Sequence, residues 1–176
     1  MIPTDKLLIT RADIKDAELL TQLSITTFRD AFGPVNRQED MDKYIADEMN
    51  LERLTAELGD EDNLFFLAWH NEIPVGYAKL RTAKTPEELK NRNPVEIERL
   101  YVQQAYQSKK VGAVIMSHCI DYAKSQKYDT IWLGVWEHNN RAIKFYKEWD
   151  FELFGAHSFV LGNDEQTDVL MKKILK

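Results

Sequence analysis

A short polar segment, Gln107-Ser108-Lys109-Lys110-Val111-Gly112-Ala113, has the residue types and the position of an anion-binding loop. It separates a stretch with strand-like alternation from a stretch with helical spacing. Free N–H groups and the positive dipole end at the start of a helix bind phosphates, and a glycine lets a ligand approach closely. Lys109 and Lys110 add two cations to a chain of net charge −6, which favours an anionic ligand. An ordinary polar loop before a helix is the alternative.

Two strands and two helices must position this loop. Glu96 to Val102 alternates as a strand, and apolar residues then recur at helical spacing from Val111 to Tyr122. Thr130 to Trp136 predicts a second strand, and the chain between the two strands is long enough for a crossover helix. We therefore expect them to be parallel. Asn139 has the residue type and position of an N-cap for a helix that ends near Trp149.

The rest of the chain predicts helices around a mixed, mostly antiparallel sheet that contains one βαβ unit. This is an α+β class, filed as α/β in some schemes. One helix is predicted after the first strand, and one or two more between Asp40 and Leu58. The remaining strands are predicted at 7–10, 64–69, 73–80, 151–154, 158–161 and 168–174.

Length and composition limit the classes of function. The 176 residues, 44% of them hydrophobic, suit one domain over 1–176. The net negative charge disfavours nucleic-acid and membrane partners. A lone Cys119 allows neither an internal disulfide nor a cysteine-based zinc site, and the four histidines show no metal-ligand spacing, so no metal is expected. With no apolar leader or membrane span in the sequence, we expect a soluble, unprocessed, cytoplasmic protein.

The loop resembles the Gln/Arg-x-x-Gly-x-Gly/Ala pyrophosphate loop of the Gcn5-related N-acetyltransferases (GNAT). Residues 139–146 resemble the Asn-x-x-Ala-x-x-x-Tyr helix of that family, and the order and spacing of elements match over 95–155. Lys110 and Asp150 stand where the family usually has glycine. Lys110 suits its position if its backbone angles are right-handed, whereas a left-handed Asp150 would cost about 1 kcal/mol.

The resemblance implies that acetyl-CoA is the cosubstrate and that its pantetheine chain lies between the two parallel strands. Main-chain groups of Leu100, Tyr101 and Val102 would pair with its amides like an added strand. Asn139 and Ala142 would touch the far side of the cofactor. The diphosphate would lie in the loop that includes Ser108 and Val111, on the N–H groups of Gln107, Lys109, Lys110, Gly112 and Ala113.

Amine acetylation needs a group that removes a proton from the ammonium and a group that stabilises the leaving thiolate. Tyr146 stands at the family's tyrosine position and could donate to the sulfur; packing against Ala142 and Trp149 is the alternative. Glu96 and Glu98, on one strand face, could accept the amine proton through water; a solvated edge, or a salt bridge to Arg99 or Arg141, is the alternative. Direct transfer needs no enzyme nucleophile, so Cys119 is expected in the core.

The acceptor predicted from the resemblance is a primary amine of a small cationic, polyamine-like molecule. Residues 159–168 look like a pattern of polyamine acetyltransferases, and His138 is the histidine expected near the cleft. Protein or peptide N-acetylation and a non-catalytic acyl-CoA sensor are the alternatives, and the family makes a homodimer plausible. A run of carboxylates could attract a polycation, although a solvated helix face is favoured: Glu39, Asp40, Asp42, Asp47 and Glu48.

Overall fold

The computed structural model describes residues 6–176, which form a seven-stranded sheet in the order β1-β2-β3-β4-β5-β7-β6. Only β4 and β5 are parallel among the paired strands of this part of the chain. The strands are β1 (Leu7–Arg11), β2 (Asn63–His70), β3 (Ile73–Arg81), β4 (Pro94–Val102), β5 (Thr130–Trp136), β6 (Glu152–Leu161) and β7 (Asp164–Ile174). The helices are α1 (Ala17–Phe32), α2 (Gln38–Glu48), α3 (Leu51–Gly59), α4 (Val111–Ser125) and α5 (Asn140–Glu148). The predicted α+β class is confirmed.

Helices cover both faces of the sheet. Successive side chains of a strand point to opposite faces, and β2 shows the result. Phe65 and Leu67 pack in a cluster with residues of α1, α2 and α3, while Phe66 and Ala68 join the cluster that contains α4. The continuous apolar run of β2 is therefore that of a strand buried on both faces.

A β-bulge between β3 and β4 sets the direction of the charged side chains. Lys79 pairs with Arg99 and Leu80 with Ile97, so Glu98 is the extra residue of β4. A bulge disturbs the alternation of side chains at one position. Glu98 contacts Lys79 of β3, and Arg99 contacts Glu57 of α3, so both lie on the face covered by α1, α2 and α3.

The C-terminal part of the chain differs from the prediction of three short strands. β6 and β7 form one long hairpin, and residues 155–158 stay paired with β7. This stretch lacks an apolar alternation because β6 is an edge strand and much of its surface is exposed. Main-chain pairing with β7 maintains the strand there.

Within residues 6–176, no helix has both the length and the apolarity that crossing a bilayer requires. Across the same range, no group of three or more His, Cys, Asp and Glu side chains could hold a metal ion. Cys119 is fully buried, as predicted, and burial raises the pKa of its thiol to about 12.

Candidate active site in a splayed cleft

The parallel strands β4 and β5 separate after three register pairs. The pairs are Pro94 with Thr130, Val95 with Ile131 and Glu96 with Trp132. Beyond them β4 continues to Val102 against β3, and β5 continues to Trp136 against β7. Unpaired main-chain groups of a strand can pair with another extended segment. A cavity of about 780 Å³ occupies this opening and reaches from the loop before α4 to helix α1.

The loop before α4 presents a row of main-chain N–H groups. In the described chain, the amides of residues 108–113 donate no main-chain hydrogen bond. Ser108 and Lys110 have positive φ values of 60° and 66°, and such turns form anion-binding concavities. Two expectations are corrected. Lys110 is left-handed, and the N–H of Gln107 donates to the carbonyl of Gln104 at 3.2 Å, which removes it from the row.

Arg141 ties the first turn of α5 to this loop. Its guanidinium donates to Oε1 of Gln107 at 2.7 Å and to Oγ of Ser108 at 3.4 Å. Lys110 also lines the cavity. Lys109 instead lies over the ring of Tyr106, 5.2 Å from its centroid. Two cations, one from α5 and one from the loop, therefore flank the free amides.

Gly112 leaves the cleft floor open. A Cβ on Gly112 would meet only Phe145 and Val102 atoms, at 3.8 Å, so protein packing does not require glycine there. Val111 lies in the core and does not line the cavity. Of the cofactor-binding residues predicted on β4 and in the loop, those that do line it are Leu100, Tyr101, Val102, Gln107, Ser108, Lys110, Gly112 and Ala113.

Helix α5 contributes the other wall of the cleft. Asn139 caps it as predicted, since its side chain accepts the N–H of Ala142 at 3.1 Å. No residue of α5 is fully buried, and Asn139, Ala142, Phe145 and Tyr146 line the cavity. The apolar face of this helix therefore faces the cleft as much as the core.

Tyr146 lies half-buried on this face, with its ring 5.6 Å from that of Phe145 and 5.9 Å from that of Phe151. Burial raises the pKa of its hydroxyl to about 12. Tyr146 thus both packs against neighbouring rings and presents a hydroxyl that keeps its proton at neutral pH.

Glu96 and Glu98 share one cation on the opposite wall. Arg81 reaches Oε2 of Glu96 at 2.8 Å and Oε1 of Glu98 at 3.0 Å, and Lys79 also contacts Glu98. Glu96 is only 4% exposed, so it is not on a solvated strand edge. The expected alternative partners bind elsewhere: Arg99 pairs with Glu57, and Arg141 binds the loop.

The two carboxylates differ in their affinity for a proton. Burial raises the pKa of Glu96, and Arg81 only partly offsets this effect. Burial acts in the same direction on Glu98, but the charges of Arg99 and Lys79 outweigh it and lower the pKa of that carboxyl. Glu96 is therefore the better proton acceptor of the pair.

Aromatic rings line the cavity beside α1 and α2. Phe28 lies 4.7 Å from both Phe32 and Tyr44, and Tyr44 lies 5.6 Å from Phe159 of β6. Asp30 of α1 also lines this end. No spacing of residues along the chain indicates this aromatic lining, because its members come from three separate elements.

The run of carboxylates on α2 does not reach the cavity in the described chain. Asp40 is buried and accepts the N–H of Asn163 at 2.9 Å, which fixes α2 to the β6–β7 turn. Asp42, Asp47 and Glu48 make ion pairs with Arg29, Lys43 and Arg53. The favoured interpretation, a solvated helix face, fits Asp42, Asp47 and Glu48, whereas the burial of Asp40 departs from it.

His157, not His138, is the histidine that lines the cavity. His138 has an exposed side chain beside Glu137. His157 faces Asp168 of β7, with 3.7 Å between Nε2 and Oδ2, and Asp168 lines the same cavity. Sequence reasoning missed this pair, because its members lie on two strands of a hairpin that was predicted as separate short pieces.

Comparison with known proteins gives one family. A profile of the Acetyltransferase (GNAT) family matches residues 23–151. An uncharacterised N-acetyltransferase from the pepI 3′ region of Lactobacillus delbrueckii subsp. lactis is 34% identical over 167 residues, which cover 95% of this chain and 96% of that protein.

Two solved structures show the same fold. The PaiA N-acetyltransferase of Thermoplasma acidophilum, in complex with coenzyme A, superposes with a TM-score of 0.77 at 20% identity over 96% of this chain and 98% of its own. A ribosomal-protein-alanine N-acetyltransferase from Brucella melitensis gives 0.73 at 19% identity over 96% and 99%.

Proposed function

The chain belongs to the GNAT family of N-acetyltransferases, and we propose that it acetylates a primary amine of a small cationic, polyamine-like acceptor. Acetyl-CoA is the cosubstrate of this family. We propose direct attack by the amine in a ternary complex, with no enzyme nucleophile. The assignment of residues 1–176 to a single acetyltransferase domain, and a homodimer, stay predictions.

The residues of the cleft fit coenzyme A. Free amides at residues 108–113, flanked by Lys110 and Arg141, suit a diphosphate. The unpaired edges of β4 and β5 suit the amides of a pantetheine chain, and Gly112 leaves room beside them. This set of main-chain donors and acceptors along one open cleft is the observation that carries the proposal.

The side chains around the cleft supply two proton functions. When bound, acetyl-CoA provides a thioester that an uncharged amine can attack. The hydroxyl of Tyr146 holds a proton at neutral pH and donates a hydrogen bond where the sulfur leaves. Glu96, whose pKa is raised by burial, accepts the ammonium proton through water. The charges of Arg99 and Lys79 lower the pKa of Glu98, which therefore adds a negative charge to the cavity.

The acceptor end of the cavity suits a cation. The partly exposed rings of Phe32 and Tyr44 line the cavity and can contact an alkylammonium group by cation–π interaction. Asp30 and Asp168 add negative charge there. An acceptor with two amines separated by a methylene chain matches both the carboxylates and the aromatic surface.

Thiol release from acetyl-CoA, followed with a disulfide reagent, tests this function. Cys119 is fully buried and its thiol has a raised pKa, so it will not react with the reagent in the folded protein. We expect turnover with spermidine and other polyamines and none with a peptide that begins with alanine. Asp30→Asn should raise the KM for polyamines several-fold, while Asp47→Asn, on α2 outside the cavity, should not.

Other outcomes would refute the acceptor or the activity. Turnover with the peptide alone would make the chain a protein or peptide N-acetyltransferase. Coenzyme A binding by calorimetry with no turnover on any amine would make it a sensor. No binding at millimolar coenzyme A would remove the whole proposal.

A further inference from the structure

His157 and Asp168 form a histidine–carboxylate pair that lines the cavity. Nε2 of His157 lies 3.7 Å from Oδ2 of Asp168, and the two residues are register partners on β6 and β7. Their side chains are 31% and 15% exposed, and both line the cavity. The imidazole is thus open to the cavity while the carboxylate behind it is largely enclosed.

Gly134 of β5 makes room for this pair. A Cβ on Gly134 would lie 3.4 Å from Cε1 and Nε2 of His157 and 3.4 Å from Oδ2 of Asp168. Gly134 belongs to the part of β5 that has separated from β4. The imidazole of His157 therefore extends from β6 across β7 towards β5, the strand that borders the cleft. It packs over Gly134, where a side chain would be in close contact with it.

The charged surroundings of the imidazole come from several elements. Asp168 is the carboxylate at salt-bridge distance from it. Glu165 of β7 binds the hydroxyl of Ser158, whose side chain points to the opposite face from that of His157. The other charged residues at the acceptor end of the cavity are Asp30 on α1, Arg81 on β3, Lys84 after β3, and Glu96, Glu98 and Arg99 on β4.

We infer that His157 is a direct proton acceptor for the ammonium group of the acceptor, and that Asp168 positions its ring. This inference rests on the proposed N-acetyl transfer. An N–H bond of the ammonium breaks and an N–H bond forms on the imidazole, leaving a lone pair on the amine nitrogen. That lone pair forms the C–N bond as the C–S bond breaks, and the electron pair of the C–S bond leaves with the sulfur. The surplus N–H proton of the attacking nitrogen then passes through solvent to the thiolate, which gives a neutral amide and a thiol, and the imidazolium returns its proton to solvent. Imidazole side chains commonly act as proton acceptors in catalysis.

The geometry distinguishes His157 from Glu96. Nε and Nη2 of Arg81 both lie 2.8 Å from Oε2 of Glu96, which is 4% exposed, so proton uptake there would disrupt an ion pair in a nearly closed site. The side chain of His157 is 31% exposed and, in the described chain, faces the carboxylate of Asp168 and forms no ion pair with a lysine or arginine. Glu96 therefore acts through water, and His157 adds a direct route.

The substitution His157→Gln tests the inference in steady-state kinetics. With a polyamine, we expect kcat to fall about 10- to 100-fold and KM to change less than about threefold. This loss lies at or below the low end of what a general base contributes, because the route through Glu96 remains. The acid limb of the wild-type pH profile should change in the variant. With an arylamine, whose nitrogen is unprotonated at neutral pH, the loss should largely disappear.

Two further variants sharpen the test. His138→Gln is the matched control, because His138 also lies 3.7 Å from a carboxylate, that of Glu137, but outside the cavity; it should keep full activity. His157→Gly should regain activity when imidazole is added, since Gly134 and Asp168 would border the space left.

Each outcome decides a different question. If His157→Gln keeps kcat within about threefold of wild type with the polyamine, or loses as much with the arylamine, His157 is not the proton acceptor. If the wild-type protein acetylates no amine at all, the proposed function fails, whatever the variants do. Calorimetry of coenzyme A with His157→Gln should match wild type and excludes misfolding as the cause of a loss.

Discussion

Replacement of Tyr146 by phenylalanine tests how the leaving thiolate is stabilised. The pKa of Tyr146 is raised to about 12 by burial, whereas a free thiol has a pKa of about 8.5. Complete transfer of its proton to a thiolate would be uphill by about 3.5 pKa units, or about 5 kcal/mol. Tyr146 therefore acts as a hydrogen-bond donor that keeps its proton. Loss of one preorganised donor costs about 3–4 kcal/mol, so kcat should fall about 10²- to 10³-fold.

Steady-state kinetics with acetyl-CoA and a polyamine measure this effect. The KM for acetyl-CoA should change little, because a donor that acts in the transition state contributes little to ground-state binding. Tyr122→Phe is the control, since Tyr122 packs against Phe66 from α4 and does not line the cavity. A Tyr146→Phe variant with kcat within threefold of wild type would refute the reasoning. The reasoning would also be refuted if kcat of the wild type fell with rising pH far below pH 12 and kcat of the variant did not.

Three further predictions concern stability. Gly76→Ala places a Cβ 2.7 Å from the carbonyl oxygen of Tyr101, so it should destabilise the fold by about 1–3 kcal/mol or more and lower Tm by about 2–4 °C per kcal/mol; an unchanged Tm in calorimetry would contradict this. Lys110→Gly removes a left-handed strain of about 1–2 kcal/mol at an entropic cost of about 0.5–1 kcal/mol, so urea unfolding should show a gain of up to about 1.5 kcal/mol while coenzyme A binds more weakly. Lys110→Ala keeps the left-handed strain, so it should lose affinity for coenzyme A without gaining stability. A Lys110→Gly variant less stable than wild type would show that Lys110 is not strained. Burial raises the pKa values of Tyr44 and Tyr146 to about 12, so above pH 10 the unfolded state releases protons that the folded state keeps, and stability falls by about 1.4 kcal/mol per pH unit for each tyrosine until about pH 12. Their ionisation should coincide with the loss of circular dichroism, and ionisation near pH 10 in a folded protein would contradict this.

Local patterns in the sequence were enough to predict the elements around the loop. Strand alternation in 96–102, helical spacing after Val111 and the cap at Asn139 are each properties of a short segment, and each matches the structure. The parallel pairing of β4 and β5 followed from the length of the connection between them. These features depend on neighbours in sequence, and therefore a single sequence contains them.

Features that depend on long-range contacts could not be predicted in this way. The left-handed angles of Lys110 are imposed by the turn that joins β4 to α4, although the residue type favours right-handed angles. Glu96 and Glu98 find Arg81 only because β3 pairs with β4. His157 reaches the cleft because β7 inserts between β5 and β6, an order that residue types alone do not specify.

The divergence of β4 from β5 also bears on how such a protein can change over evolutionary time. Its polar lining is peptide backbone, which every residue type except proline supplies, so point substitutions along Leu100–Val102 leave that lining in place. The rest of the cavity is lined by side chains from several elements, among them α1, α2 and β6, and each of these side chains is replaceable one at a time. Substitutions among these side chains are thereby uncoupled from the main-chain lining of the cleft.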